Sequence, residues 1–345
     1  GSPVAVIDNV MQAVNTGWRG DETGIGQFGV SNNGTLVYIA GGIQPSASQR
    51  ELVWVDRKGV PKRLAAQNRG YFAPRFSPDM KRIAVHAQRE RSREYMVWSY
   101  DMDRESMINL SQEGDECCPV WSPNGESIAV RSVVSGGSEI VQIPVRGTGE
   151  RARLAARTGS VVPTSWSSLD VLAFTEVHDS LSQVWTLSLD DRTPKPLLQG
   201  PLSFNHPAFS PDGRWIAYSS GNQVYVQAFP GPGEKIQIST DGGNSPAWSA
   251  NGELFYQRGT DTGTQMMAVD IDTRKGFVAG KPHLLFKGPY SINSPMRGYD
   301  VAPDGQHFVL IRTSAEAAKA EPPPPTQIHV VLNWTEELKR RVRVE

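Results

Sequence analysis

Arg75, Glu116, His206, Asn244, Arg297 and Asp300 are the side chains whose types and placement best suit chemistry, because each sits where the chain enters a recurring segment. Two guanidiniums, an imidazole, a carboxamide and two carboxylates form a mixed set that can hold a polar or anionic ligand through charge-assisted hydrogen bonds. The blander expectation is that they bridge neighbouring segments and water. Glu116, His206 and Asp300, with Asp115 beside them, could supply oxygen and nitrogen ligands to a divalent ion if their loops converge. No HExxH, CxxC or EF-hand spacing accompanies them, and no GxSxG elbow marks a serine nucleophile. His86, His178 and His283 are expected in loops or at strand ends, in water. The only two cysteines, Cys117 and Cys118, are adjacent, so a disulfide framework is excluded. They could form a soft-metal or redox site; the plainer expectation is one residue buried and one pointing away.

The elements that must position these residues come from a repeat. An aromatic or apolar residue, a Ser-Pro-Asp-Gly-like turn and a β-branched run recur at Phe28, Phe76, Trp121, Trp166, Phe209, Trp248 and Val301. With Ser31, Ser77, Ser122, Ser167, Ser210, Ser249 and Ala302 as anchors, successive spacings are 46, 45, 45, 43, 39 and 53 residues, the length of a propeller blade. Pro presets φ at the second turn position, Asp or Asn caps the backbone and Gly accepts positive φ, so each copy folds into a hairpin. Third strands are expected at ELVWVD, YMVWSYD, QVWTLSLD and QVYVQAF, and fourth strands at KRLAA, SMINLS, KPLLQ and KIQIST. Trp121, Trp166 and Trp248 share one repeat position and are expected in the core.

The pattern predicts an all-β chain: one domain over residues 1–345, a seven-bladed β-propeller of four-stranded antiparallel blades. Its edges must be removed by closure. The last repeat has strands near Tyr299–Val301, His307–Ile311 and Gln327–Leu332 but no fourth. The N-terminal stretch Pro3–Asp8 is expected to complete that blade and close the ring. Residues 314–326 are a proline-rich insertion expected to be a loop, and residues 333–345 a tail with a short helix.

Lys and Arg number 35 against 36 Asp and Glu, a net charge of −1, which gives no bulk attraction to nucleic acid or anionic membrane. No apolar run is long enough to span a bilayer. The opening Gly1-Ser2 reads as a remnant of cloning, so a leader or anchor preceding it is not excluded. A monomer is expected.

FSPDGRWIAYSS from Phe209, FSPDMKRIAVHA from Phe76 and WSPNGESIAVRS from Trp121 resemble the repeats of the TolB propeller and of the propellers of prolyl oligopeptidases and tricorn-like proteases. SNNGTLVYIAGG from Ser31, LVWVDRKGVPKRLA from Leu52, FPGPGEKIQISTDGGNSPAWS from Phe229 and TQIHVVLNWTEELKRR from Thr326 are similar to the C-terminal propellers of bacterial eukaryotic-like serine/threonine kinases. That resemblance implies an extracytoplasmic or periplasmic sensor that binds a protein or small polar ligand on its top face without cofactor. It carries over no kinase chemistry, since the glycine-rich loop, catalytic lysine, HRD and DFG are absent. The alternative is a metal-dependent propeller hydrolase, lactonase- or phosphotriesterase-like, holding Ca²⁺ or another divalent ion in its channel.

Overall fold

A computed structural model describes residues 7, 10, 12–14, 22–40, 50–64, 66–67, 69–89, 94–111, 114–145, 149–231, 233–260, 263–274, 276–291, 296–313 and 327–341. They are all-β apart from one helix, Trp334–Arg341, which forms where helix character was expected. No helix among them is long and apolar enough to cross a membrane. The chain divides into two compact units, Gly1–Gln49 with Ser314–Glu345, and Arg50–Thr313.

The larger unit contains six four-stranded antiparallel sheets. The first four are consecutive in sequence. They run Tyr71–Phe76, Arg82–Gln88, Tyr95–Asp101 and Ser106–Asn109; Glu116–Trp121, Ser127–Val134, Gly137–Pro144 and Ala152–Arg157; Ser160–Trp166, Val171–His178, Leu181–Ser188 and Pro194–Leu198; and Asn205–Phe209, Trp215–Ser220, Gln223–Ala228 and Ile236–Gln237. The fifth joins Asn244–Trp248, Leu254–Thr260, Gly263–Val269 and His283–Gly288, with the hairpin Ile271–Asp272/Val278–Ala279 inserted before its last strand. The sixth takes Tyr299–Val301 and His307–Thr313 from the end of the unit, and Arg50–Asp56 and Pro61–Arg63 from its beginning.

This sixth sheet corrects the expected pairing. His307–Thr313 lies beside Arg50–Asp56 in an unbroken register from His307 opposite Asp56 to Thr313 opposite Arg50. The places assigned to Gln327–Leu332 and Pro3–Asp8 are therefore filled by Arg50–Asp56 and Pro61–Arg63. Ile328–Val331 instead pairs with Leu36–Ile39, giving the smaller unit a three-stranded sheet with Phe28–Val30, beside a hairpin of Gln12–Val14 and Glu22–Gly26. Among the described residues there are thus six four-stranded sheets, one of three strands and two two-stranded hairpins. Of Pro3–Asp8 only Ile7 lies among the described residues, and the insertion 314–326 lies outside them. Alternation identifies ELVWVD as a strand but fixes only which face it buries, not which edge it joins, so its partner is set by the tertiary fold.

The repeat motif is explained by its turn. The Ser77, Ser122 and Ser210 hydroxyls donate to Asp79, Asn124 and Asp212 at 2.6, 2.7 and 2.6 Å, and accept the amides of Arg82, Ser127 and Trp215 at 2.9, 3.1 and 3.0 Å. Each serine thereby ties the turn to the start of the next strand. The alanine of the IA pair has a packing reason. Ala84 packs in one core cluster with Trp121, Ala129 with Trp166, Ala173 with Phe209 and Ala217 with Trp248. A small residue in one sheet leaves room for the aromatic ring of the next.

Candidate functional site

The innermost strands of the first five sheets are each bent by a bulge, and the bulge re-aims the side chains around it; Tyr299–Val301 of the sixth pairs without a break. Register breaks fall between Phe72 and Arg75, Cys117 and Val120, Pro163 and Ser165, Asn205 and Ala208, and Asn244 and Ala247. Ala73, Cys118, His206 and Ser245 occupy the bend with φ of 46, 62, 54 and 56°, unusual for residues with a side chain. A proline follows each of the four in sequence. The bend turns the amide N–H out of its own sheet, and the preceding sheet captures it in two places. Cys118 N–H donates to His86 Nδ1 at 3.2 Å, and Ser245 N–H to Ser219 Oγ at 3.0 Å.

Further bonds cross every junction between successive sheets. Phe76 N–H donates to Asp300 Oδ2 at 2.9 Å, and Trp121 Nε1 to Arg75 O at 3.0 Å. Val161 N–H donates to Ser138 Oγ at 2.9 Å, and Phe209 N–H to Ser165 Oγ at 3.0 Å. Trp248 Nε1 donates to Ala208 O at 3.1 Å, and the Tyr299 hydroxyl to Ser245 O at 2.8 Å. The sixth sheet is thus bonded to both the fifth and the first. The expected core role of the repeated tryptophans holds: Trp121 is buried, Trp166 and Trp248 pack half-buried against core clusters, and the N–H groups of Trp121 and Trp248 are two of these bridges.

A cavity is lined from several innermost strands, by Ala73, Arg75, Cys118, His206, Met296 and Arg297 among others. The volume open to the centre of a water molecule is about 10 Å³, room for roughly one water. Three of the six expected site residues, Arg75, His206 and Arg297, therefore meet here. Arg75 is buried, and its Nη1 donates to Pro74 O, Arg297 O and Tyr299 O at 2.7, 3.0 and 3.2 Å. Burial, reinforced by the neighbouring Arg297 charge, pulls its pKa down to about 9. Arg297 donates to Asp300 Oδ1 at 2.6 Å, Tyr299 O at 3.1 Å and Pro246 O at 3.1 Å. Asp300 is thus held between Arg297 and the Phe76 amide.

Asn244 stands at the start of the fifth innermost strand, half-buried, and Asn205 holds the equivalent position in the fourth. Their Oδ1 atoms are enclosed and accept no hydrogen bond among the described residues. Glu116 is fully buried and paired with Arg151, so it does not join the others. No group of three or more His, Cys, Asp or Glu suited to a metal occurs among the described residues, so Glu116, His206 and Asp300 do not assemble as an ion site.

Two other expectations change. His86 is not solvated: it lies within Arg82–Gln88, 1% exposed, stacked on Phe72 at 5.4 Å with Tyr95 edge-on at 5.3 Å. Burial and then the charges of Arg75, Arg131 and Arg50 hold its pKa down at about 3. His178 and His283 do fall at strand ends, both exposed. Cys117 and Cys118 are both buried rather than one in and one out, because the left-handed bend at Cys118 breaks strand alternation. Asn205, Phe72, Met296 and His86 were missed as members of this region. A sequence signal existed for three positions: counting five residues back from the anchor serines reaches Phe72, Asn205 and Asn244.

Comparison with known proteins agrees with this geometry. Residues 85–281 match the sequence profile described as the TolB beta propeller domain. An uncharacterized protein of Agrobacterium fabrum is 26% identical over 206 residues, spanning 55% of this chain and 68% of that protein. A candidate TolB from Agrobacterium tumefaciens has a similar structure, with a TM-score of 0.61 at 18% identity over 77% of this chain and 98% of its own. TolB from Acinetobacter baumannii gives a TM-score of 0.52 at 17% identity, covering 80% of this chain and 67% of that one. At these identities the structural likenesses speak for the fold.

Proposed function

This chain belongs to the TolB beta propeller domain family, and from that premise we propose that it is a noncatalytic binding module whose six sheets ring a mouth that receives a polar segment of a protein or a small polar ligand. The observation that carries the proposal is the pair of enclosed carboxamide oxygens, Asn205 Oδ1 and Asn244 Oδ1. Each buried acceptor left without a donor costs about 1–3 kcal/mol. An incoming N–H or O–H group that donates to them removes that cost. Phe72 and Arg297, half-buried at equivalent positions of the first and sixth sheets, add a stacking face and a positive charge. The cavity's room for about one water favours contacts at the mouth over deep insertion.

In the finer form of this reading the module is the extracytoplasmic sensing part of a bacterial receptor-type kinase and its ligand is a protein. The resemblance of the Ser31, Leu52, Phe229 and Thr326 segments to such kinases supports it.

A thermal-shift screen of short peptides and polar small molecules, alongside lactonase and phosphotriesterase assays, tests the proposal. The expected result is a stabilising ligand without turnover, its affinity reduced about tenfold by Asn205→Ala or Asn244→Ala, the loss of about 1.4 kcal/mol. Turnover abolished by a chelator would overturn it in favour of a metal-dependent hydrolase.

A further inference from the structure

Three sulfur atoms meet at the edge of the central cavity. Cys117 Sγ and Cys118 Sγ are 2.8 Å apart, and Met296 Sδ lies 3.2 Å from Cys118 Sγ. The thioether is supplied from 178 residues further along the chain. Both thiols are free, and all three residues are buried. Cys118 and Met296 line the cavity, which therefore opens beside the cluster.

We propose that Cys117, Cys118 and Met296 form a binding site for a soft monovalent cation, Cu(I). Two thiolates and a thioether are the donors that select Cu(I) over harder ions. Zn(II) is held by thiolate, imidazole and carboxylate donors, four in structural sites and three with a water in catalytic ones, and among the described residues only the two thiolates of that kind meet here. The nearby imidazole, His86, already accepts the Cys118 amide through Nδ1, and no cluster of three or more His, Cys, Asp or Glu exists among the described residues. Charge points the same way. One Cu(I) with two thiolates has a net charge of −1, and Arg131 Nη1 lies 4.0 Å from Cys117 Sγ with Arg75 on the cavity wall. Those guanidiniums stabilise an anionic complex while repelling an uncomplexed hard cation.

The Cys118 bend makes the juxtaposition. In a regular strand adjacent side chains point to opposite faces, but φ of 62° at Cys118 brings both thiols together. Metal–sulfur bonds of about 2.3 Å would spread the sulfurs to roughly 4 Å, and the adjoining cavity provides that room. Binding forms two Cu–S(thiolate) bonds and one Cu–S(thioether) contact and releases one proton from each cysteine. Copper stays monovalent. Because each thiol gives up its proton to the solvent on binding, uptake strengthens as pH rises.

The test is anaerobic titration of the full chain with Cu(I) against a chromogenic chelator, followed by sulfur counting with X-ray absorption. The expected result is one ion per chain, lost in Cys117→Ser and Cys118→Ser and weakened at least about tenfold in Met296→Leu, a near-isosteric apolar change that preserves packing. The sulfur count falls by one in that variant. Absence of a stoichiometric ion in the wild-type chain overturns the proposal whether or not any variant folds. Equal affinity and sulfur count in Met296→Leu, tighter binding of Zn(II), or a reduced chain that only forms a Cys117–Cys118 disulfide on exposure to peroxide would each overturn it too.

Discussion

Replacing Asp300 should separate a hydrogen bond between sheets from a charge. Asp300 Oδ2 accepts the Phe76 amide at 2.9 Å, and Oδ1 accepts from Arg297 Nη2 at 2.6 Å. The two charged side chains are only 13% and 12% exposed, so solvent screening is weak. Asp300→Ala orphans the amide of buried Phe76, which costs about 1–3 kcal/mol, and removes the counterion of Arg297. Breaking a buried pair costs about 3–5 kcal/mol in general. Here Arg297 keeps the Tyr299 and Pro246 carbonyls, so the combined loss should be about 3 kcal/mol. Asp300→Asn retains an acceptor for Phe76 and loses only the charge, so about 1 kcal/mol is expected. At about 2–4 °C per kcal/mol for a unit of this size, the melting temperature should fall by about 6–12 °C for alanine and about 2–4 °C for asparagine. Differential scanning calorimetry with near-ultraviolet circular dichroism measures both. Equal shifts for the two variants would show that the carboxylate's acceptor role contributes nothing. A shift below about 2 °C for alanine would refute the claim that this bond holds the sixth sheet to the first.

His86 should make the larger unit acid-sensitive. The unfolded chain protonates this imidazole below about 6.5 and the folded chain only near 3, so between those limits the unfolded state binds more protons and stability falls as pH drops. The slope from this group approaches about 1.4 kcal/mol per pH unit, and denaturant titrations of His86→Gln from pH 7 to pH 4 should be flatter than those of the parent. Trp121→Phe, which keeps the ring but removes the Nε1 donor to Arg75 O at 3.0 Å, should cost about 1 kcal/mol; chemical denaturation showing no loss would remove that bridge from the account. Residues 50–313, expressed alone, should unfold in one cooperative transition because the sixth sheet is completed from within that stretch. A broad, non-cooperative melt would contradict the pairing of His307–Thr313 with Arg50–Asp56.

The recurring Phe/Trp-Ser-Pro-Asp-Gly turn and the alternating runs after it were enough, without coordinates, to establish an all-β chain of four-stranded repeats, because turn geometry and strand alternation depend on residues adjacent in sequence. The core position of Trp121 and the short helix at Trp334–Arg341 were legible for the same local reason. What only the tertiary structure decided is which strands share an edge and where the bulges aim their side chains. Arg50–Asp56 has the same alternation whether it joins Leu36–Ile39 or His307–Thr313, and only the folded chain shows it in the second place. The bend at Cys118, which buries both thiols and brings Met296 against them, and the burial of His86 beneath Phe72 arise from backbone φ and from contacts between distant segments. Local pattern constrains neither. Arg75, Arg297 and Asp300 were recognisable as charged groups near a mouth, but their union with backbone carbonyls and an amide of neighbouring sheets was not, since burial must find hydrogen-bond partners wherever the fold brings them.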